Sequence, residues 1–230
     1  MNLTVAYAAL CAGVIVWLIL VRKLSSRPWE ATTTATGPTE SDAPRFPAAR
    51  VGLWIFLAVI TSLFGLFITA YYMRMGLGHG ADVPLRDWTE VREPGVLWLN
   101  TVLLIFASLA MQWARSSVAR GSAERTKEGL ILGGLLTLAF LAGQLYAWSE
   151  LRATGLFRPS DPAFAFFYLL TAVHGLHLLG GLFVWGRTLW RMQRLRPELI
   201  DVRLSVELCT VYWHYLLLVW LALFGLLLST

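Results

Sequence analysis

Six stretches of the chain are apolar almost without interruption, and polar segments separate them. They run Thr4–Val21, Val51–Tyr72, Gly95–Trp113, Gly129–Trp148, Phe164–Gly186 and Ser205–Leu228. Each approaches the roughly 20 residues that cross the hydrocarbon of a bilayer. Among all Asp, Glu, Lys and Arg residues, only Glu207 falls inside these limits. In lipid every backbone amide must find its partner within its own segment, so each run predicts a helix. The expected fold class is all-α, a polytopic transmembrane bundle of six helices. Residues 1–24 are expected to form an N-terminal helix, 25–50 a flexible cytoplasmic linker and 51–230 a five-helix core. Ser25–Pro47 is rich in Thr, Ser, Ala and Pro and holds too few large apolar residues to build a core.

Composition sharpens the class. The chain has 230 residues, 57 % of them hydrophobic, and a mean hydropathy of +0.62. No Lys or Arg precedes the first run, and Arg22 and Lys23 follow it. A cleaved signal has the reverse layout, so this run is expected to be a retained helix. Alternate polar segments carry fourteen Lys and Arg residues on one side of the membrane and five on the other. The positive-inside rule then places both termini outside. The net charge of +5 therefore reports topology, and nucleic acid is not an expected partner.

The remaining polar segments exclude several classes. None is long enough to form a catalytic domain. The segment 73–94 reads as a mixed-charge outer loop in which Gly76, Gly78 and Gly80 make a flexible turn. A phosphate-binding glycine loop would need a preceding strand and a following helix, and neither is expected here. Cys11 and Cys209 lie in different spans without a CxxC companion, which fits small packing residues. No internal repeat and no paired Gly/Pro-broken helices occur, which counts against a small-solute transporter.

Candidate chemistry collects in the last two spans. His174 and His177 are three residues apart, hence on one helical face. His214 follows Glu207 by seven residues and shares its face, in the string Tyr212-Trp213-His214-Tyr215. His177 and His214 each lie about ten residues from the cytoplasmic ends of their spans, roughly 15 Å deep. Antiparallel neighbours can bring them to one level. Three readings are open: haem or metal ligation, as in a bis-histidine membrane cytochrome; a proton or ion path through Glu207; and helix–helix or lipid hydrogen bonds. Two His three residues apart are poorly placed for two faces of one haem. Arg203, at i−4 from Glu207, offers an ordinary interfacial ion pair. Gly175, Gly180 and Gly181 beside the His pair predict a close helix contact. Trp113 and Trp148 at span ends fit aromatic belts.

These strings resemble the cytochrome c oxidase subunit III family of the haem-copper oxidases. The family's F-H-G-L-H-x-x-x-G is similar to His174-Gly175-Leu176-His177 with Gly181. Its closing helix, a Glu, six residues and the His of Y-W-H-F, resembles Glu207 followed by Tyr212-Trp213-His214-Tyr215. Trp54-Ile55-Phe56-Leu57-Ala58, Leu99-Asn100-Thr101 and Gln144 are further echoes upstream. The resemblance covers about residues 50–230.

It implies a non-catalytic subunit of a respiratory terminal oxidase, in which O2 reduction is coupled to proton translocation in aerobic electron transport. It implies no haem or copper in this chain, with both expected in partner subunits. The implied partners are oxidase subunits I and II, further respiratory subunits and membrane lipids, including structural phospholipids in a cleft. Easier oxygen access or sustained proton uptake would be its contribution. The implied location is a bacterial inner membrane. His174, His177, Glu207, Trp213 and His214 are then a packing and lipid-anchoring cluster, with no catalytic, cofactor-binding or metal residue. A nitric oxide reductase-associated relative of the family shares the same motifs. Two carboxylates common in the family are replaced: Val59 and Ile60 stand where S-E usually follows W-x-F-L-A, and Leu217 stands where an Asp is frequent.

Overall fold

The computed structural model describes residues 48–80, 95–153, 162–194 and 199–228. These fold into five helices: α1 Ala48–Gly80, α2 Val96–Ala119, α3 Ala123–Ala153, α4 Pro162–Arg194 and α5 Leu199–Leu228. Each holds a segment long and apolar enough to cross a membrane. The chain is a multi-pass helical membrane protein, with no strand among the described residues. The expected first span, Thr4–Val21, and nearly all of the linker lie outside the described residues.

Every helix outruns the apolar span that announced it. A 33-residue helix such as α4 is about 50 Å long, against roughly 30 Å of hydrocarbon. Apolarity marks only the part inside lipid. The charged ends, such as Glu124 to Glu128 of α3, carry the helix through the headgroup layer. The glycines of α1 correct one expectation. Gly76, Gly78 and Gly80 belong to the helix and make no flexible turn. Glycine costs a helix about 1 kcal/mol relative to alanine. Leaving the helix near lipid would cost more, because it frees backbone groups that must be paired.

The tightest pair is the hairpin of α2 and α3. Gly121, with φ +78°, turns the chain between them. Its N–H donates to Val118 O at 3.2 Å and that of Ser122 to Ser117 O at 3.0 Å. This is the Schellman arrangement, which closes the last carbonyls of α2 and needs a residue tolerant of positive φ. Ser122 O then accepts the N–H of Thr126 at 3.1 Å. Above the turn the backbones nearly touch. A Cβ on Gly129 would lie 2.9 Å from Ala114 N, and one on Gly133 would lie 2.8 Å from Met111 Cε. Lipid gives helices no hydrophobic reason to associate, so close backbone approach and interhelical hydrogen bonds hold them.

Helix α5 packs on both α2 and α4, whereas α1, among the described residues, rests lightly on α4 and α5. The fully buried large side chains include Trp213 and Trp220 of α5, Phe140 of α3 and Phe164 and Phe167 of α4. Aromatic edges seat α1: Tyr71 meets Phe166 with ring centroids 5.5 Å apart, and Phe56 stacks on Tyr212 at 6.1 Å. Cys209 is free and buried, whereas Cys11 lies outside the described residues.

Candidate functional site

Five side chains singled out by depth and motif occupy α4 and α5, and the fold sends them to different neighbours. His174 is fully buried. Its ring lies 5.8 Å from Phe140 of α3 and 5.4 Å from Trp220 of α5. One turn on, His177 turns toward α1, with ring centroids 5.6 Å from Phe64 and 6.5 Å from Phe56. Its Nδ1 donates to the Val173 carbonyl of its own helix at 2.7 Å.

The closing helix distributes its polar groups more widely still. Glu207 accepts from Arg50 Nη2 of α1 at 2.5 Å and from Arg203 Nε at 3.2 Å. The ion pair read from the i−4 spacing is therefore present, joined by a second guanidinium. Trp213 Nε1 donates to Thr137 Oγ1 of α3 at 2.9 Å. His214 reaches α2, where Nδ1 bonds to Ser108 Oγ and Nε2 to Gln112 Oε1 at 3.2 Å.

His177 and His214 do share a level. The Tyr212 hydroxyl donates to the His177 carbonyl at 2.9 Å, which sets residue 177 beside the turn of α5 that carries His214. Their side chains diverge nonetheless, one toward α1 and the other toward α2. Of the three glycines beside the His pair, Gly181 makes the tight contact: a Cβ there would sit 2.7 Å from Tyr212 Cε1. Gly175 has only ordinary contact with Leu141, and Gly180 has open space.

Several partners were not among the candidate site residues. Thr101, Ser108 and Gln112 mark one polar stripe along α2, spaced by about two turns and one turn. Thr101 Oγ1 accepts from Trp220 Nε1 at 2.9 Å. Thr210 Oγ1 donates to Met111 O at 3.1 Å. On α1, Thr61 and Tyr215 share a hydrogen bond of 2.9 Å. Helix α5 thus bonds through side chains to all four other helices. Periodicity in α2 could have found the stripe; nothing in the sequence names Arg50 as the partner of Glu207.

Chemically, this arrangement joins helices. His174, His177 and His214 aim at different neighbours, so no two of their ring nitrogens converge on a common centre. Among the described residues, no group of three His, Cys, Asp or Glu could hold a metal ion. One carboxylate between two guanidiniums is an ordinary interfacial network, screened by the water that reaches the half-exposed arginines.

Comparison with known proteins places the chain. The family model described as Cytochrome c oxidase subunit III matches residues 33–228, so the match begins upstream of residue 50, within the segment read as a linker outside the resemblance. The chain is similar to cytochrome c oxidase subunit 3 of Thermostichus vulcanus, 28 % identical over 186 residues, which cover 80 % of this chain and 89 % of that protein. It is 29 % identical over 177 residues to cytochrome c oxidase subunit 3 of Synechocystis sp., covering 75 % and 72 %. It is also 27 % identical over 176 residues to a Staphylococcus aureus protein named "Probable quinol oxidase subunit 3", covering 76 % and 85 %. With most of its length matched, the chain belongs to the cytochrome c oxidase subunit III family.

Proposed function

We propose that the chain is the non-catalytic third subunit of a bacterial respiratory terminal oxidase, packed on a catalytic subunit that carries the haem and copper. The family match over residues 33–228 carries the proposal. The divergence of His174, His177 and His214 supports it, because a bis-histidine haem needs two ring nitrogens facing one iron. Relatives bear both cytochrome c oxidase and quinol oxidase names, so either electron donor suits the family. The large apolar side chains left outside the bundle, such as Phe183 and Leu66, suit lipid or a neighbouring subunit.

In this role the chain stabilises the oxidase and retains structural phospholipid, and electron transfer and proton-coupled O2 reduction take place in its partners. In this reading both termini lie outside the inner membrane, which the fourteen-to-five split of Lys and Arg supports. A tagged chain drawn from its native membranes should bring haem-containing subunits with it, together with O2 consumption supported by reduced cytochrome c or by a quinol. A preparation that binds the chain and yields no haem protein would contradict the proposal. Cysteine labelling from outside should reach residues 81–94 and spare the linker; labelling of the linker in intact cells would reverse the topology.

A further inference from the structure

One layer of the bundle holds polar atoms that its helices do not pair. Asn100 Oδ1, Gln144 Nε2 and both ring nitrogens of His174 are buried without a hydrogen-bond partner among the described residues. The three side chains are at most 4 % exposed and come from α2, α3 and α4.

They belong to one layer. Asn100 Nδ2 donates to Gln144 Oε1 at 3.4 Å. Helices α3 and α4 run antiparallel, and Trp148 Nε1 donates to Thr171 Oγ1 at 3.1 Å. One turn from Trp148 stands Gln144, and about one turn from Thr171 stands His174, so the two stand at the same level of adjacent helices. Phe140, one turn beyond Gln144, closes that level from below against His174. Trp220 packs on both rings and is tied to Thr101, the neighbour of Asn100.

We infer that this layer is a binding site for ordered water, held by His174, Gln144 and Asn100. The hydrogen-bonding inventory fits water. Neutral imidazole offers one donor and one acceptor, Gln144 Nε2 a donor and Asn100 Oδ1 an acceptor. Exchanging O and N in both amides keeps that balance. Water supplies two donors and two acceptors, and buried water characteristically bridges such orphaned groups. The two ring nitrogens diverge, so a single molecule cannot serve both. A cation is a poor match, because in either assignment of the amide atoms one of the two amides directs a donor into the layer. The chain's own helices enclose the layer, so the inference does not depend on the partner subunits.

The test is a density map of the chain in its native assembly, at a resolution that shows water. Ordered water is expected about 3 Å from a His174 nitrogen and from the Gln144 amide. His174→Phe keeps a ring between Phe140 and Trp220 and deletes both nitrogens; the density beside the ring should be lost. If that variant does not assemble, the wild-type map decides alone. His174 bonded directly to Gln144 with no water between them would overturn the inference. Water left unchanged in the His174→Phe protein would overturn it equally.

Discussion

Trp213 donates its indole N–H to Thr137 Oγ1 at 2.9 Å, and the Thr137 hydroxyl in turn donates to the Gly133 carbonyl at 2.8 Å. The hydroxyl thus bridges a buried indole of α5 and the backbone of α3. Thr137→Val keeps the shape and strands the Trp213 N–H. An orphaned buried donor costs about 1–3 kcal/mol, and thermal unfolding in detergent should show a loss of that size. Thr101→Val should act alike on Trp220. The two indoles are about 10 Å apart along α5, so the double variant should be additive within about 0.5 kcal/mol. A neutral Thr137→Val would mean that the indole finds another partner.

The glycine seam makes a contrast within one residue type. Gly129→Ala places a methyl 2.9 Å from the Ala114 backbone nitrogen, where the neighbour has no side chain to swing away. Overpacking of this kind costs about 1–3 kcal/mol, and the α2–α3 hairpin should loosen. Gly225→Ala meets nothing within 4 Å and should be neutral or slightly stabilising through helix propensity. Equal melting temperatures for the two variants would refute the close-approach account.

Glu207 should prove modest in energy and sensitive to salt. Its partners Arg50 and Arg203 have side chains 43 % and 57 % exposed, and exposed pairs contribute about 0.2–1 kcal/mol each. Glu207→Gln should therefore destabilise by about 1 kcal/mol at low ionic strength, and the difference should shrink in high salt. A much larger loss, unchanged by salt, would show that Glu207 does more than tie α1 to α5.

The sequence disclosed how deep each residue lies and disclosed its neighbours poorly. Apolar runs located all five described helices, because only helices satisfy a backbone in lipid. Their true ends escaped, since polar residues continue a helix outside the hydrocarbon without an apolar mark, as in Glu124 to Glu128. The level shared by His177 and His214 followed from their distances to the span ends. The partners of those residues did not follow. An i−4 spacing pointed to Arg203 for Glu207, but Arg50 is 157 residues away and had counted only toward topology. His214 looked like a neighbour of His177 because both belong to adjacent helices. Its bonds to Ser108 and Gln112 depend on how α5 rotates against α2, which depth alone does not fix.

We propose that the polar side chains of α4 and α5 serve the packing of the bundle and take no part in electron or proton transfer. His214→Ala tests it most directly, because it removes the bonds to Ser108 and Gln112 at one stroke. Interhelical hydrogen bonds in membranes average about 0.6 kcal/mol, with upper values near 1.7, so the helices should loosen without unfolding. The decisive measurement is the initial oxidase turnover of the purified complex, read beside the fraction of this chain still bound. Turnover and haem spectrum should stay near wild type, while retention of the chain in detergent and the number of turnovers before inactivation should fall. A collapse of the initial rate with the chain fully bound would contradict the account and assign His214 a functional role.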